Sequence, residues 1–377
     1  MVTFSMKTYC ALSVLLLLPI QMANSDEFTL QLLTQQHDVI WGFDFLPDKN
    51  IIFTEKSGAL KILNSKTENV TTVKNPPDVA VKGQGGLLDV RVHPQFNKTH
   101  WLYFTYVVKM PSGNMTTRLS RAELVNNELQ NVQILFTAFE ANNETIHFGS
   151  RLEFDGQGHL FMSVGERNQR EKAQSLNYDN GKIIRLNEDG SIPSDNPFVH
   201  VAGAKPEIWS LGHRNPQGLV INKNTGELWE SEFGPLGGDE INLIEKGKNY
   251  GWAIITYGRE YYGLAIGEGY SKQGMEQPVT YYVPSISPSG ISFYEGDKFP
   301  NWKGNLFVAA LSGQQLRRLV IENHQVIHQE VLLSDLKWRF RHVREGLDGF
   351  LYFSTDEGKL ARMIPKTVNH QFCNEFI

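Results

Sequence analysis

A histidine and a glutamate bracket a short apolar hairpin in the stretch TIHFGSRLEFDGQGHLFMSVGE, residues 145–166. An imidazole with one nitrogen held by a carboxylate has a fixed tautomer and a more basic second nitrogen. That is the arrangement of a general base. With the turn placed on Gly156 and Gln157, Phe154 faces His159, Ser150 faces Ser163 and His147 faces Glu166. Directly opposed side chains share one face of a sheet, so the two titratable groups are expected to be neighbours. An isolated histidine would read more simply as a satisfied core residue, and it is the carboxylate opposite that points to chemistry.

Two groups of arginines could serve the same site. Arg214 lies in GHRNPQG, and Arg339, Arg341 and Arg344 lie in KWRFRHVREG. The same hairpin arithmetic puts Arg214 level with Gly234 and Arg341 level with Thr355, while Gln84 precedes its own strand in the same way. Arg339 and Arg341 alternate, so they share one side of a strand. Guanidinium groups converging from two hairpins suit a ligand with several carboxylates, each gripped bidentately, although solvated surface charge is the plain alternative. In SEFGPLGGDEINLIEKGKNYGW the carbonyls of Gly234 and Pro235 and the carboxylate of Glu240 are hard oxygen donors of the kind calcium takes; an ordinary tight loop fits the composition equally well.

Several common chemistries find no motif. GQGGLLDV, from Gly83, leads into a strand and is not a dinucleotide fingerprint. H-E-x-x-H, G-x-S-x-G, the EF-hand pattern and a thiolate cluster are absent from the sequence. A formal net charge of −5 with no basic run gives no reason to expect nucleic acid.

The elements that must position these residues are strands. Six hairpins recur, each an apolar strand, a turn of Asp, Asn, Gly or Pro, and a second strand rich in Phe, Tyr and Leu. They begin near Gly42, Leu87, Ser150, Gln217, Ser289 and Val343. Their spacing of roughly 45 to 70 residues matches four-stranded blades with loop insertions. The pattern predicts an all-β, six-bladed β-propeller with four-stranded antiparallel blades, spanning residues 26–377 as one catalytic domain. Seven blades or a β-sandwich are the alternatives. In a propeller, first-strand starts and second-strand ends lie on one face near the central channel, so the residues named above converge on one funnel.

Residues 1–25 read as a secretory signal. Lys7 gives the positive start, Ala11 to Leu18 the apolar run, and Ala23 and Ser25 the small residues before cleavage. Cys10 would leave with that signal, and Cys373 would remain as a single thiol, so a large core must replace internal disulfides. No segment is long and apolar enough for a membrane span. An exported protein of a bacterial periplasm is expected. Sequons at Asn69, Asn97, Asn114 and Asn143 keep a secreted eukaryotic origin open, and monomer and dimer are both compatible.

Taken in order, GQGGLLDV, HFGSRL, GERNQ, DNPF, EIWSLGHRNPQG, GPLGGDEIN and GKNYGW resemble the PQQ-dependent soluble aldose sugar dehydrogenases of the glucose/sorbosone dehydrogenase family, from about Gln36 to Pro365. The resemblance implies oxidation of an aldose at its anomeric carbon by pyrroloquinoline quinone (PQQ), passing electrons to an acceptor the sequence does not name. It makes His147 the base, Glu166 its orienting acid and Arg214 the arginine by the reacting quinone oxygen. Gln84, Asn215, Arg339, Arg341 and Tyr261 match cofactor contacts. The carbonyls of Gly234 and Pro235 match ligands of the calcium beside the cofactor, and Glu240 with the carbonyl of Tyr250 matches a separate structural calcium. Ser312 stands where many relatives place a cofactor-contacting lysine, and Ser150 where HFGGRL is commoner. Two other functions compete: a propeller that binds sugar or protein without redox activity, which needs no base, and a calcium-dependent lactonase or hydrolase, which needs no arginines on the last blade.

Overall fold

Each of the six expected hairpins forms the inner pair of a four-stranded antiparallel blade. The computed structural model describes residues 20–22 and 27–366. Blade 1 holds Ile40–Phe45, Ile51–Glu55, Leu60–Leu63 and Val70–Thr72; blade 2 holds Leu87–Val92, Trp101–Lys109, Met115–Val125 and Glu128–Thr137. Blade 3 holds Leu152–Phe154, His159–Val164, Lys182–Asn187 and Ile208–Leu211. Blade 4 follows with Pro216–Ile221, Leu228–Glu232, Asp239–Ile244 and Thr280–Tyr282, and blade 5 with Pro288–Phe293, Leu306–Ala310, Gln315–Glu322 and Gln325–Leu332. Blade 6 takes Phe340–Glu345, Leu351–Thr355 and Leu360–Pro365, and its outer strand is the early segment Phe28–Thr34. Pairing of Phe28–Thr34 with Leu360–Pro365 joins the two ends of the described chain and closes the ring. Six blades settle the count against seven, and the radial arrangement replaces the sandwich.

Burial explains why the hairpins stood out in sequence. Inner strands such as Ile51–Glu55 and Leu306–Ala310 are buried at every position because blades pack on both of their faces, so they read as continuous apolar runs. Outer strands such as Gln325–Leu332 mix exposed and buried positions and give a weaker signal. The core therefore sits between blades. Ile52 and Leu60 of blade 1 pack with Val90 and Phe104 of blade 2, and Phe307 of blade 5 with Phe340 and Phe353 of blade 6. Polar ties cross the channel waist as well: fully buried Arg151 donates to Asp89 at 2.9 Å and to the Gln217 carbonyl at 2.8 Å, linking blades 2, 3 and 4.

Two registers differ from expectation. In blade 3, Phe154 pairs with Leu160 and not with His159. The turn centres on Gln157 because Gly156 and Gly158 are both left-handed, at φ +71° and +96°, with Asp155 accepting from the Gln157 and His159 amides. A bulge then cancels the shift: the Ser163 carbonyl accepts from Ser150 while the Ser163 amide donates to the Arg151 carbonyl, so Ser150 does lie opposite Ser163. In blade 6, Phe340 faces Thr355 and His342 faces Ser354, which leaves Arg341 on the bulge instead of level with Thr355.

The leader reading falls largely outside the described residues, as do Cys10 and Cys373. Within it, Ile20–Met22 forms a short strand parallel to Gln325–Leu332. Among the described residues no helix is long and apolar enough to cross a membrane.

Candidate active site

His147 sits before the first strand of blade 3, on a backbone turned left-handed at His147, Gly149 and Ser150 (φ +56°, +65° and +87°). This turn, and not ladder pairing, brings its ring to Glu166 at the end of the second strand. Nδ1 of His147 and Oε1 of Glu166 form a short hydrogen bond, and both residues are buried. The second ring nitrogen, Nε2, has no hydrogen-bond partner among the described residues. Burial pushes the imidazole below its ordinary pKa; the bond to Glu166 opposes this, and the Arg214 and Arg167 charges add to the depression. A neutral imidazole with one nitrogen fixed and the other free can accept a proton at neutral pH. Gln84 reaches the same residue from blade 2, where its Oε1 accepts the His147 amide at 2.8 Å.

Arg214 and Asn215 lead into blade 4. Both of their amides donate to the buried carboxylate of Glu232, which fixes the turn that carries them. Arg214 Nη1 donates to the carbonyls of Phe233 at 3.0 Å and Gly234 at 2.9 Å, and its guanidinium lies 5.3 Å from the Trp252 ring centre. Asn215 Oδ1 accepts from the Gly149 amide and from Gln217. Arg214 Nε and Asn215 Nδ2 are left buried without partners. Orphaned buried donors are costly, and a ligand with acceptor atoms would relieve them.

Arg339 and Arg341 both clasp Asp356, at 3.0 and 2.8 Å. Burial works to raise the Asp356 carboxyl, but the two guanidinium groups overcome it and hold the pKa below the usual range. Arg341 also reaches across the channel to Gln217 Oε1 at 3.2 Å. With Gln84, Phe148 and Gly149 these arginines line a cavity of about 180 Å³ that reaches the backbone next to His147.

The Gly234–Glu240 loop is tight for a steric reason. A Cβ on Gly234 would meet the Gly237 oxygen at 2.2 Å, and one on Gly238 the Gly258 nitrogen at 2.2 Å. A small cavity next to it is bounded by Glu232, Gly234, Glu240, Tyr250 and Trp252. Glu230, Glu232 and His213 bring ligand atoms within 4.8 Å of one another just inside. Glu230 and Glu240 are pushed well above the usual carboxylate range, by burial first and by Glu232 second. Oε1 of Glu230 lacks a hydrogen-bond partner, and Nδ1 of His213 lies 3.5 Å from Glu232 Oε1 without a hydrogen bond. A buried set of carboxylates with one orphaned oxygen fits a cation.

Three sequence candidates have surroundings of their own. Arg344 pairs with Asp44 at 3.0 Å in the network formed with Arg91 and Glu153, away from Asp356. Ser312 hydrogen-bonds to Ser287, and Tyr261 is 71 % exposed on the loop between the last two strands of blade 4. Sequence reasoning missed Asp356, although the blade 6 turn arithmetic placed it within a residue of the arginines. It missed Glu232 as well, whose partners are backbone amides that no side-chain pattern announces.

Comparison with known proteins agrees with the geometry. The family model for glucose/sorbosone dehydrogenase matches residues 37–362. The aldose sugar dehydrogenase YliI of Escherichia coli K12 is 40 % identical over 345 residues, covering 89 % of this chain and 93 % of that protein. Quinoprotein glucose dehydrogenase B of Acinetobacter calcoaceticus is 30 % identical over 325 residues, covering 77 % of this chain and 65 % of that protein. The crystal structure of the soluble aldose sugar dehydrogenase from E. coli in its apo form superposes with a TM-score of 0.87 at 38 % identity, over 90 % of this chain and all of that one. The chain belongs to the glucose/sorbosone dehydrogenase family and is an oxidoreductase.

Proposed function

We propose that this chain is an exported, periplasmic dehydrogenase that oxidises the anomeric C1 of aldose sugars to lactones with PQQ and calcium. The observation that carries the reading is the buried pair His147 and Glu166, with a free imidazole nitrogen beside a cavity furnished with arginines. A binding propeller has no need of such a base.

The residues present fit the groups the reading requires. Gln84, Arg214, Asn215, Arg339 and Arg341 would hold PQQ, because its carboxylates match guanidinium groups and its carbonyls match the orphaned donors Arg214 Nε and Asn215 Nδ2. The Gly234 and Pro235 carbonyls would hold one calcium; Glu240 and the Tyr250 carbonyl would hold another, next to the orphaned Glu230 oxygen. Bound there, PQQ would supply the hydride acceptor and calcium the Lewis acid that makes it more electrophilic.

The protein's own residues do the rest. His147 Nε2 takes the C1 hydroxyl proton as hydride leaves the same carbon. Glu166 holds the ring's tautomer and stabilises the imidazolium that results. Arg214 supplies positive charge where negative charge develops. Depression of the His147 pKa keeps the imidazole neutral and ready to accept that proton.

Reconstitution tests the reading. The purified protein is titrated with PQQ and calcium, and dye reduction is followed with a panel of aldoses. Sugar-dependent reduction that requires both additions is expected, and absence of PQQ binding would sink the proposal.

A further inference from the structure

Next to the proposed base lies a buried cation in direct contact with no carboxylate. Arg167 is 2 % exposed and forms no ion pair among the described residues. Its guanidinium donates instead to three backbone carbonyls. Nε reaches the Ile146 oxygen at 3.0 Å, Nη1 the Met115 oxygen at 3.0 Å, and Nη2 the Glu144 oxygen. Its flat face lies 3.8 Å from the ring centre of Phe148. Ile146 and Phe148 are the two residues flanking His147, so one side chain grips the backbone before the histidine and the ring after it.

Burying an unpaired charge is expensive, and an apolar residue of the same size would avoid that cost. Burial pushes the guanidinium down to about 10, with the Glu144 and Glu166 charges opposing the fall, so Arg167 stays charged at neutral pH. The backbone is left-handed at His147 (φ +56°), Arg167 (+57°) and Asn168 (+58°), a conformation that non-glycine residues keep only where their surroundings hold it. Adjacent residues of one strand end thus divide the work: Glu166 sets the ring through Nδ1, and Arg167 sets the backbone that carries the ring.

We infer that Arg167 is a positioning residue for His147, fixing the peptide on both sides of it so that Nε2 points at the substrate. The inference rests on the proposed role of His147 as the base. Arg167 touches neither cofactor nor sugar in this account.

A double-mutant cycle tests it. Arg167→Met should lower kcat by about 10²-fold through misplacement of the base, with a smaller change in KM. In a His147→Ala background the same substitution should cost less than about threefold, because there is no ring left to place. Arg167→Lys keeps the charge but not the three-way fork, and should show an intermediate loss that also vanishes in that background. It carries the test if Arg167→Met fails to fold. A readout independent of turnover comes from the protein without cofactor: the downfield imidazole N–H proton resonance, identified by its loss in His147→Ala, should shift or disappear in Arg167→Lys and Arg167→Met. Retention of wild-type kcat and of that resonance overturns the inference, as does a loss that multiplies in full with that of His147→Ala. If His147→Ala itself keeps its turnover, the base reading is what fails.

Discussion

Arg214 Nη1 donates to the Gly234 carbonyl at 2.9 Å, so the arginine proposed to face the quinone and the loop proposed to hold calcium form one hydrogen-bonded unit. Disturbing either should be felt by the other. Arg214→Lys keeps a positive charge but cannot reach the Phe233 and Gly234 carbonyls with a planar fork. We expect kcat to fall by about 10²-fold and the calcium concentration for half-maximal reconstitution to rise. Calcium titrations of both proteins check this, and an unchanged calcium requirement would separate the two sites.

Glycine at position 165 is required by space. A Cβ there would lie 2.1 Å from the His147 oxygen and 3.0 Å from Asn215 Oδ1. Gly165→Ala should push the base aside, costing about 1–3 kcal/mol of stability and most of kcat. Gly156→Ala, at the solvent end of the same hairpin, meets no atom within 4 Å and is strained only by its φ of +71°. Its stability should fall by about 1 kcal/mol with kcat unchanged. Thermal melts and turnover on the pair distinguish displacement of the base from general loosening.

The acid limb of activity should lie below the usual imidazole pKa of about 6.5, because the working base is neutral and burial depresses its pKa. Glu166→Gln removes the hydrogen bond and charge that oppose this depression. The limb should therefore move to still lower pH while kcat at the plateau drops, since the ring loses its orienting anion. A limb moving to higher pH would show that Glu166 does not face the titrating group.

Cation removal should cost stability through the Glu230, Glu232 and Glu240 cluster, where burial and mutual repulsion push Glu230 and Glu240 well above the usual carboxylate range. Chelation should lower Tm by about 5 °C, with calcium restoring it, as expected for a ligand present at about 100 times its Kd. Glu240→Gln should lose most of that chelator-dependent shift, keeping only what the calcium at Gly234 and Pro235 contributes.

The fold was legible because doubly buried inner strands announce themselves as apolar runs, and the six hairpins between Gly42 and Thr355 did so. Turn centres were less certain: a second left-handed glycine, Gly158, moved one register by a residue, and a bulge at Arg341 moved another. Ladder arithmetic set His147 opposite Glu166, but it is the left-handed turn at His147, Gly149 and Ser150 that brings them together. What the sequence hid were contacts to backbone. Arg167 and Glu232 act on carbonyls and amides brought near by loops, so spacing along a strand carries no trace of them. Arg344 shares a stretch of sequence with Arg339 and Arg341, yet it pairs with Asp44 and not with Asp356.

The central claim is most directly tested by His147→Ala. Measured together, PQQ affinity and sugar-dependent turnover should part company: binding retained within about threefold, because Gln84, Arg214, Arg339 and Arg341 remain, and kcat lowered by about 10³-fold for want of a base. Turnover at the wild-type level with PQQ bound would contradict the account.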